Sequence, residues 1–271
     1  MITYRTLLFE AFGTFLIIYN GMMTVESDDS GNVRDQTRAA IARGLTLAVF
    51  IYLGTKIGLR GFFNPTVSFC MMIIGRMSGK NCILHIFVQL LSALLAASTC
   101  FLLRPPPSDE YKIRGYAKLN TKVGVFSALM IEIISSFIFV LTIFMSRVNR
   151  KTSPIYAAAI CGSSAILAKF AFGEVTGGVV NPMRGFAPAL IDANIFHRGW
   201  WVFWIGGVIG SLLAAYVSHI YLEERDPKKY LKNMEAGFAR DALKKKKPQP
   251  QPQVVSTSKV ASAPASSGTS P

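Results

Sequence analysis

Two Asn-Pro pairs, Asn64-Pro65 and Asn181-Pro182, are the residues of this chain whose type and spacing point to chemistry. That chemistry is hydrogen bonding along a path, not bond making. An asparagine side chain is a preferred helix N-cap, and proline suits the first helical position, where its missing N–H would find no partner anyway. Each pair therefore opens a helix. The apolar runs that follow, 66–74 and 183–191, both have a phenylalanine five residues after the Asn, Phe69 and Phe186. About nine residues rise only ~14 Å at 1.5 Å per residue, roughly half of the ~30 Å hydrocarbon core of a bilayer. Broken helices persist at that depth only where they line a cavity or are buried in protein.

A helix start carries roughly half a positive charge and unpaired N–H groups. Two of them facing each other at mid-membrane repel cations and hydrated protons and leave passage to water or a neutral polyol. The Asn64 and Asn181 amides offer donors to a passing oxygen. Backbone carbonyls at 61–63 and 177–180 offer acceptors, and Gly177-Gly178 suits an extended approach with no side chain in the lumen. Two carboxylates also lie within apolar sequence, Glu10 and Glu132. Each costs about 2.5–3.5 kcal/mol on insertion scales and so belongs in the interior. Their matching positions suggest that each holds the extended loop of its own half by accepting backbone N–H bonds.

The elements that must position these groups follow from composition. The 271 residues are 51% hydrophobic and 16% charged, with mean hydropathy +0.37, which fits a polytopic membrane protein with a polar tail. Six stretches are apolar over about 20 residues: 7–25, 39–59, 82–103, 123–146, 155–172 and 200–222. The first has too long an apolar region for a signal peptide and no small-residue cleavage site before the acidic stretch 26–35, so it is read as retained. Glu10 precedes Asn64 by 54 residues and Glu132 precedes Asn181 by 49, an internal repeat of transporter type. Three spans per repeat is an odd number, so the halves are inverted and one half-helix enters from each face. The expected division is a channel domain 1–222, made of repeat one 1–103, a linker 104–122 with a stiff Pro105–Pro107 exit, and repeat two 123–222. A basic tail, 223–271, completes it.

Part of the net charge of +14 lies in that tail, which carries ten Lys and Arg including Lys244, Lys245, Lys246 and Lys247. Such a run just beyond a last span meets anionic lipid headgroups, so no nucleic-acid partner is expected. Residues 227–243 are expected as a surface helix and 244–271 as disordered. With six spans both termini share a side, and the basic tail makes it cytoplasmic. The short loops are indifferent: apart from Arg43 and Lys169 inside spans, inner segments carry eight Lys and Arg and outer ones nine. Cys70, Cys82, Cys100 and Cys161 show no metal-binding spacing and read as small apolar residues among helices. No cofactor or metal is expected.

In these residues the chain resembles an aquaporin, of the major intrinsic protein family, over residues 7–222. The resemblance rests on Glu10 with Thr14, Glu132 with Ser136, Gln89 placed 25 residues after Asn64, and Thr176-Gly177. It also rests on Asn181-Pro182-Met183-Arg184-Gly185-Phe186 with Pro188 behind. It implies an all-α membrane protein, a right-handed bundle of six spans with two re-entrant half-helices. It further implies a homotetramer with one pore per subunit, passing water or small neutral solutes. The chain departs from the family at the third motif letters, Thr66 and Met183, which resembles an unorthodox branch often found on internal membranes. By resemblance Arg184 lines the outer constriction. The position of the usual His holds Lys169, twelve residues before Asn181, and the loop position is Gly178. The usual aromatic falls on Gly44 without a gap, or on Arg43 if Ala42-Arg43-Gly44-Leu45 is the match.

Two readings of the basic residues stay open. Lys169 snorkels outward and Arg43 caps its span, or both join a basic constriction that passes something besides water, such as a small anion. Glu174 is placed to neutralise one of them. Gly185 replaces the Asp that glycerol-selective members carry, which weakens a polyol reading. An intramembrane hydrolase built on Gly162-Ser163-Ser164-Ala165 lacks a partnered base, because none of His85, His197 and His219 has a carboxylate in its own span. Gly162 to Ala165 read instead as a close helix contact. A non-conducting adhesion or assembly protein on the same fold is the remaining alternative.

Overall fold

The computed structural model describes residues 3–27, 33–103, 117–148, 152–193 and 195–222. The tail with Lys244 to Lys247, its expected surface helix and most of the linker lie outside these residues. Among the described residues, six helices are long and apolar enough to cross a membrane. They are α1 (Tyr4–Met23), α2 (Thr37–Lys56), α4 (Gly79–Leu103), α5 (Val125–Ile143), α6 (Pro154–Phe172) and α8 (Val202–Leu222). Between them lie two short helices, α3 (Pro65–Ile73) and α7 (Pro182–Ile191). A π-helical turn, Phe144–Val148, prolongs α5. All six expected spans form, with ends displaced by a few residues.

The all-helical expectation needs one addition. Between α1 and α2 the backbone forms a small antiparallel pair, β1 (Glu26–Ser27) with β2 (Val33–Asp35), in which Glu26 faces Asp35. It was illegible because the segment has neither alternating hydrophobicity nor strand length.

Repetition governs the packing. α1 packs on α4 as α5 packs on α8, α1 on α2 as α5 on α6, and α3 on α8 as α7 on α4. α2 against α6 and α3 against α7 are the contacts that cross the pseudo-twofold axis. Large apolar side chains such as Leu45, Val49, Phe87, Leu91, Leu95, Phe126 and Leu213 point outward, as a lipid-facing surface requires. Small residues fill the inside: Ala93, Ala96 and Ala97 are fully buried. All four cysteines are buried, and none forms a disulfide among the described residues.

A close cross-axis approach is made at Gly44 and Gly162. A Cβ on Gly44 would lie 2.3 Å from Ile166 Cγ1 and 2.5 Å from the Gly162 carbonyl oxygen. Ser163 is exposed while Gly162 is buried, so this tetrapeptide serves helix contact. Gly206 and Gly210 of α8 play the same part against Glu132 and Ile133 of α5.

Gly44→Leu should therefore cost at least about 1–3 kcal/mol by overpacking and lower the thermal midpoint in detergent. Gly79→Ala, whose Cβ would meet only Met72 Sδ at 3.8 Å, should leave that midpoint within about a degree. Equal behaviour of the two variants would contradict the close contact.

Candidate functional site

The chain turns sharply just before each Asn. Phe63 has φ 56° and Val180 has φ 45°, left-handed values that cost a bulky residue about 1–3 kcal/mol. Buried carboxylates hold both turns. Glu10 Oε1 and Oε2 accept from the Phe62 N–H (2.6 Å) and the Phe63 N–H (2.8 Å). Glu132 Oε1 and Oε2 accept from the Val179 N–H (3.2 Å) and the Val180 N–H (3.4 Å). The loops thereby satisfy donors that no sheet or water serves.

Further partners fix the carboxylates. Gln89 Nε2 donates to Glu10 Oε2 (3.1 Å) and to Ser68 Oγ (3.0 Å). His85 Nδ1 lies 2.8 Å from Glu10 Oε1. In the second half the Thr176 hydroxyl donates to Glu132 Oε1. His85 was missed by a search confined to single spans, because its carboxylate lies on α1 and the imidazole on α4. The signal was available: His85 and Gln89 are four residues apart and share one helix face.

From these turns the two half-helices start tip to tip. Asn64 and Asn181 are the N-caps, each with its side-chain oxygen accepting from the N–H two residues on, Thr66 (3.0 Å) and Met183 (3.1 Å). Their amides cross the axis: Asn64 Nδ2 donates to the Val180 carbonyl (2.7 Å) and Asn181 Nδ2 to the Phe63 carbonyl (2.8 Å). Pro65 and Pro182 occupy the first helical positions. The Thr66 hydroxyl also donates to Asn64 Oδ1 (2.9 Å), a bond Met183 cannot make. Met183 instead packs with Ile18, Met22 and Ala93.

The expectation of open acceptors along the loops needs correcting, because protein donors already occupy most of these carbonyls. Gly177 O accepts from Lys169 Nζ (3.1 Å) and Arg184 Nη1 (3.2 Å). Gly178 O accepts from Arg43 Nη2 (2.9 Å), which also reaches Ala165 O at 3.5 Å. In the first half Gly61 O accepts from Arg147 Nη1, a residue on the π-helical turn that prolongs α5. A carbonyl has two lone pairs, so Gly178, Val180 and Phe63 each keep one.

The register of α2 is now visible. Arg43 is buried and turned inward, whereas Gly44 sits in the α2–α6 contact; Gly44 therefore does not face the lumen. Lys169 does not snorkel; it is buried with its amine on the loop. Glu174 is exposed and forms no ion pair with Lys169, Arg43 or Arg184 among the described residues, so the expected pairing is not formed. A small cavity runs between Arg43, Arg184, Asn64 and Asn181, with Ile17, Leu47 and Phe139 among its apolar lining. The space open to the centre of a water molecule is about 20 Å³, room for about one water.

Comparison with known proteins places this geometry. The sequence profile described as "Major intrinsic protein" matches residues 1–218. The lens fiber major intrinsic protein of Ovis aries is 30% identical over 216 residues, 78% of this chain and 79% of that one. Aquaporin-5 of Mus musculus is 32% identical over 185 residues, 68% of each chain. Among solved structures, the aquaglyceroporin from Plasmodium falciparum superposes with TM-score 0.65 at 20% identity, over 81% of this chain and 96% of that one. That last likeness concerns the fold.

Glu10→Ala should leave the Phe62 and Phe63 N–H groups, His85 and Gln89 without their shared acceptor. A loss of about 3–5 kcal/mol in stability follows, read as a thermal midpoint lowered well below that of Glu10→Gln. The glutamine keeps one acceptor oxygen, and equal midpoints would remove the carboxylate from its bracing role.

Proposed function

This chain belongs to the major intrinsic protein family of transmembrane channels for water and small solutes, and from that premise we propose how its own side chains decide what passes. The pore runs between the tips of α3 and α7, and the observation that carries this reading is the exchanged bonding of Asn64 and Asn181. Each amide spends one N–H on the opposite half and keeps a second for a passing oxygen. Both line the cavity. A solute oxygen therefore meets two donors where both helix dipoles are positive, so a hydronium or metal cation is repelled. The apolar wall of Ile17, Leu47 and Phe139 offers nothing to hold a molecule in place.

Pro65, Thr66, Pro182 and Met183 shape the two tips. Arg184 and Arg43 form the constriction, with Lys169 behind the loop; Lys169 and Arg184 share the Gly177 carbonyl, and Arg43 takes the Gly178 carbonyl. The small cavity supports water as the principal solute. Glu10, Glu132 and Gln89 support the loops. The subunit assembles as a homotetramer, both termini lie in the cytoplasm, and the tail residues Lys244 to Lys247 bind anionic headgroups.

Purified protein in vesicles should speed osmotic swelling over empty vesicles without raising proton conductance. Asn181→Asp should raise proton leak, because a carboxylate cancels the positive tip. No swelling from protein that folds normally would favour a non-conducting role. Lys169→His with unchanged selectivity would take Lys169 out of solute contact.

Replacing Lys244 to Lys247 by Gln should shift the distribution between membranes by about 1 kcal/mol per removed charge at an anionic surface. Unitary permeability should stay as in wild type; a change in it would contradict the tail assignment.

A further inference from the structure

Arg43 lines the constriction, but the channel reading leaves its spare donor unexplained. Only 4% of Arg43 is exposed, and its Nη1 has no hydrogen-bond partner among the described residues. Buried guanidinium donors are ordinarily satisfied, and a buried charge is ordinarily paired. Here neither holds. Arg43 Nη2 is anchored on Gly178 O while Arg184 Nη1 is anchored on the adjacent carbonyl, Gly177 O. Both guanidinium groups line one cavity together with the Asn64 and Asn181 amides.

Among the described residues Glu132 is the one carboxylate close enough to act on Arg43 and Arg184, and it touches neither. Glu132 already accepts from Thr176, Val179 and Val180. The Lys169 amine donates to Gly177 O and brings no acceptor. Glu174 is exposed, and Glu10 belongs to the other half, bonded to Phe62, Phe63, His85 and Gln89. The N-terminal ends of α3 and α7 add partial positive charge at the same point. The cavity is thus polar, roomy enough for one water-sized particle, and rich in donors that want an acceptor.

We propose that the cavity between Arg43 and Arg184 is a binding site for one small monovalent anion, held by the free Arg43 Nη1, Arg184 and the second N–H of each asparagine amide. The proposal deepens the channel reading, since it takes this cavity as the water path. Anion and water then compete for one position, and the bound anion restrains flux. Size excludes organic anions, and the cost of stripping water from a divalent ion excludes sulfate.

The test uses the purified full chain in chloride and in gluconate at equal concentration. Chloride should raise the thermal midpoint by about 2–4 °C over gluconate. In vesicles it should slow osmotic water flux about twofold at saturation, by mass action on one site. Arg43→Gln should abolish both differences, and Arg43→Phe replaces it should that variant fail to fold. Equal midpoints of wild type in the two salts, or a chloride shift that survives in the Arg43 variant, would overturn the proposal. A protein without water flux in either salt would sink the channel reading alone, because the midpoint comparison still decides anion binding.

Discussion

Everything in the pore region depends on a carboxylate accepting from consecutive backbone N–H groups inside a membrane bundle. Glu10 does this for Phe62 and Phe63, Glu132 for Val179 and Val180. Without such acceptors the left-handed turns at Phe63 and Val180 would be strained and their donors orphaned. With them the chain reverses within a few residues and points a helix at the centre. The cost of burying each charge is offset by charge-assisted bonds, which are about twice as strong as neutral ones.

The scaffold around those turns works by exclusion of bulk. Gly44 against Gly162, and Gly206 and Gly210 against α5, let backbones approach where any side chain would collide. In lipid, where apolar surface alone gives no drive to associate, such close fits carry the packing. They also set which residues reach the lumen. Because Gly44 occupies the α2–α6 seam, its neighbour Arg43 is turned inward to Gly178 O.

Spans and half-helices were legible because hydropathy, N-cap chemistry and proline position all act locally. Residues 66–74 and 183–191 come within a residue of α3 and α7. What could not be read is whatever depends on distant partners. The choice between Arg43 and Gly44 turned on a one-residue gap, and only the helix seam settles which side chain points inward. His85 escaped notice because its acceptor lies on α1. Arg147 lies one residue beyond the expected span 123–146, and nothing local announces that its guanidinium reaches Gly61 O. The loop carbonyls looked free because sequence does not say that Lys169, Arg184 and Arg43 will take them.

The bonds at the centre have a consequence for how the molecule is made. Asn64 donates to Val180, Asn181 to Phe63, Arg43 to Gly178 and Arg147 to Gly61, so each half supplies acceptors that the other half needs. When synthesis has delivered only the first three spans, α3 has no opposite stub to cap it and its amide faces lipid unanswered. The first re-entrant segment must therefore wait near the headgroups while the ribosome finishes the second. Insertion becomes a closing step, late and joint, and neither moiety is a self-sufficient folding unit.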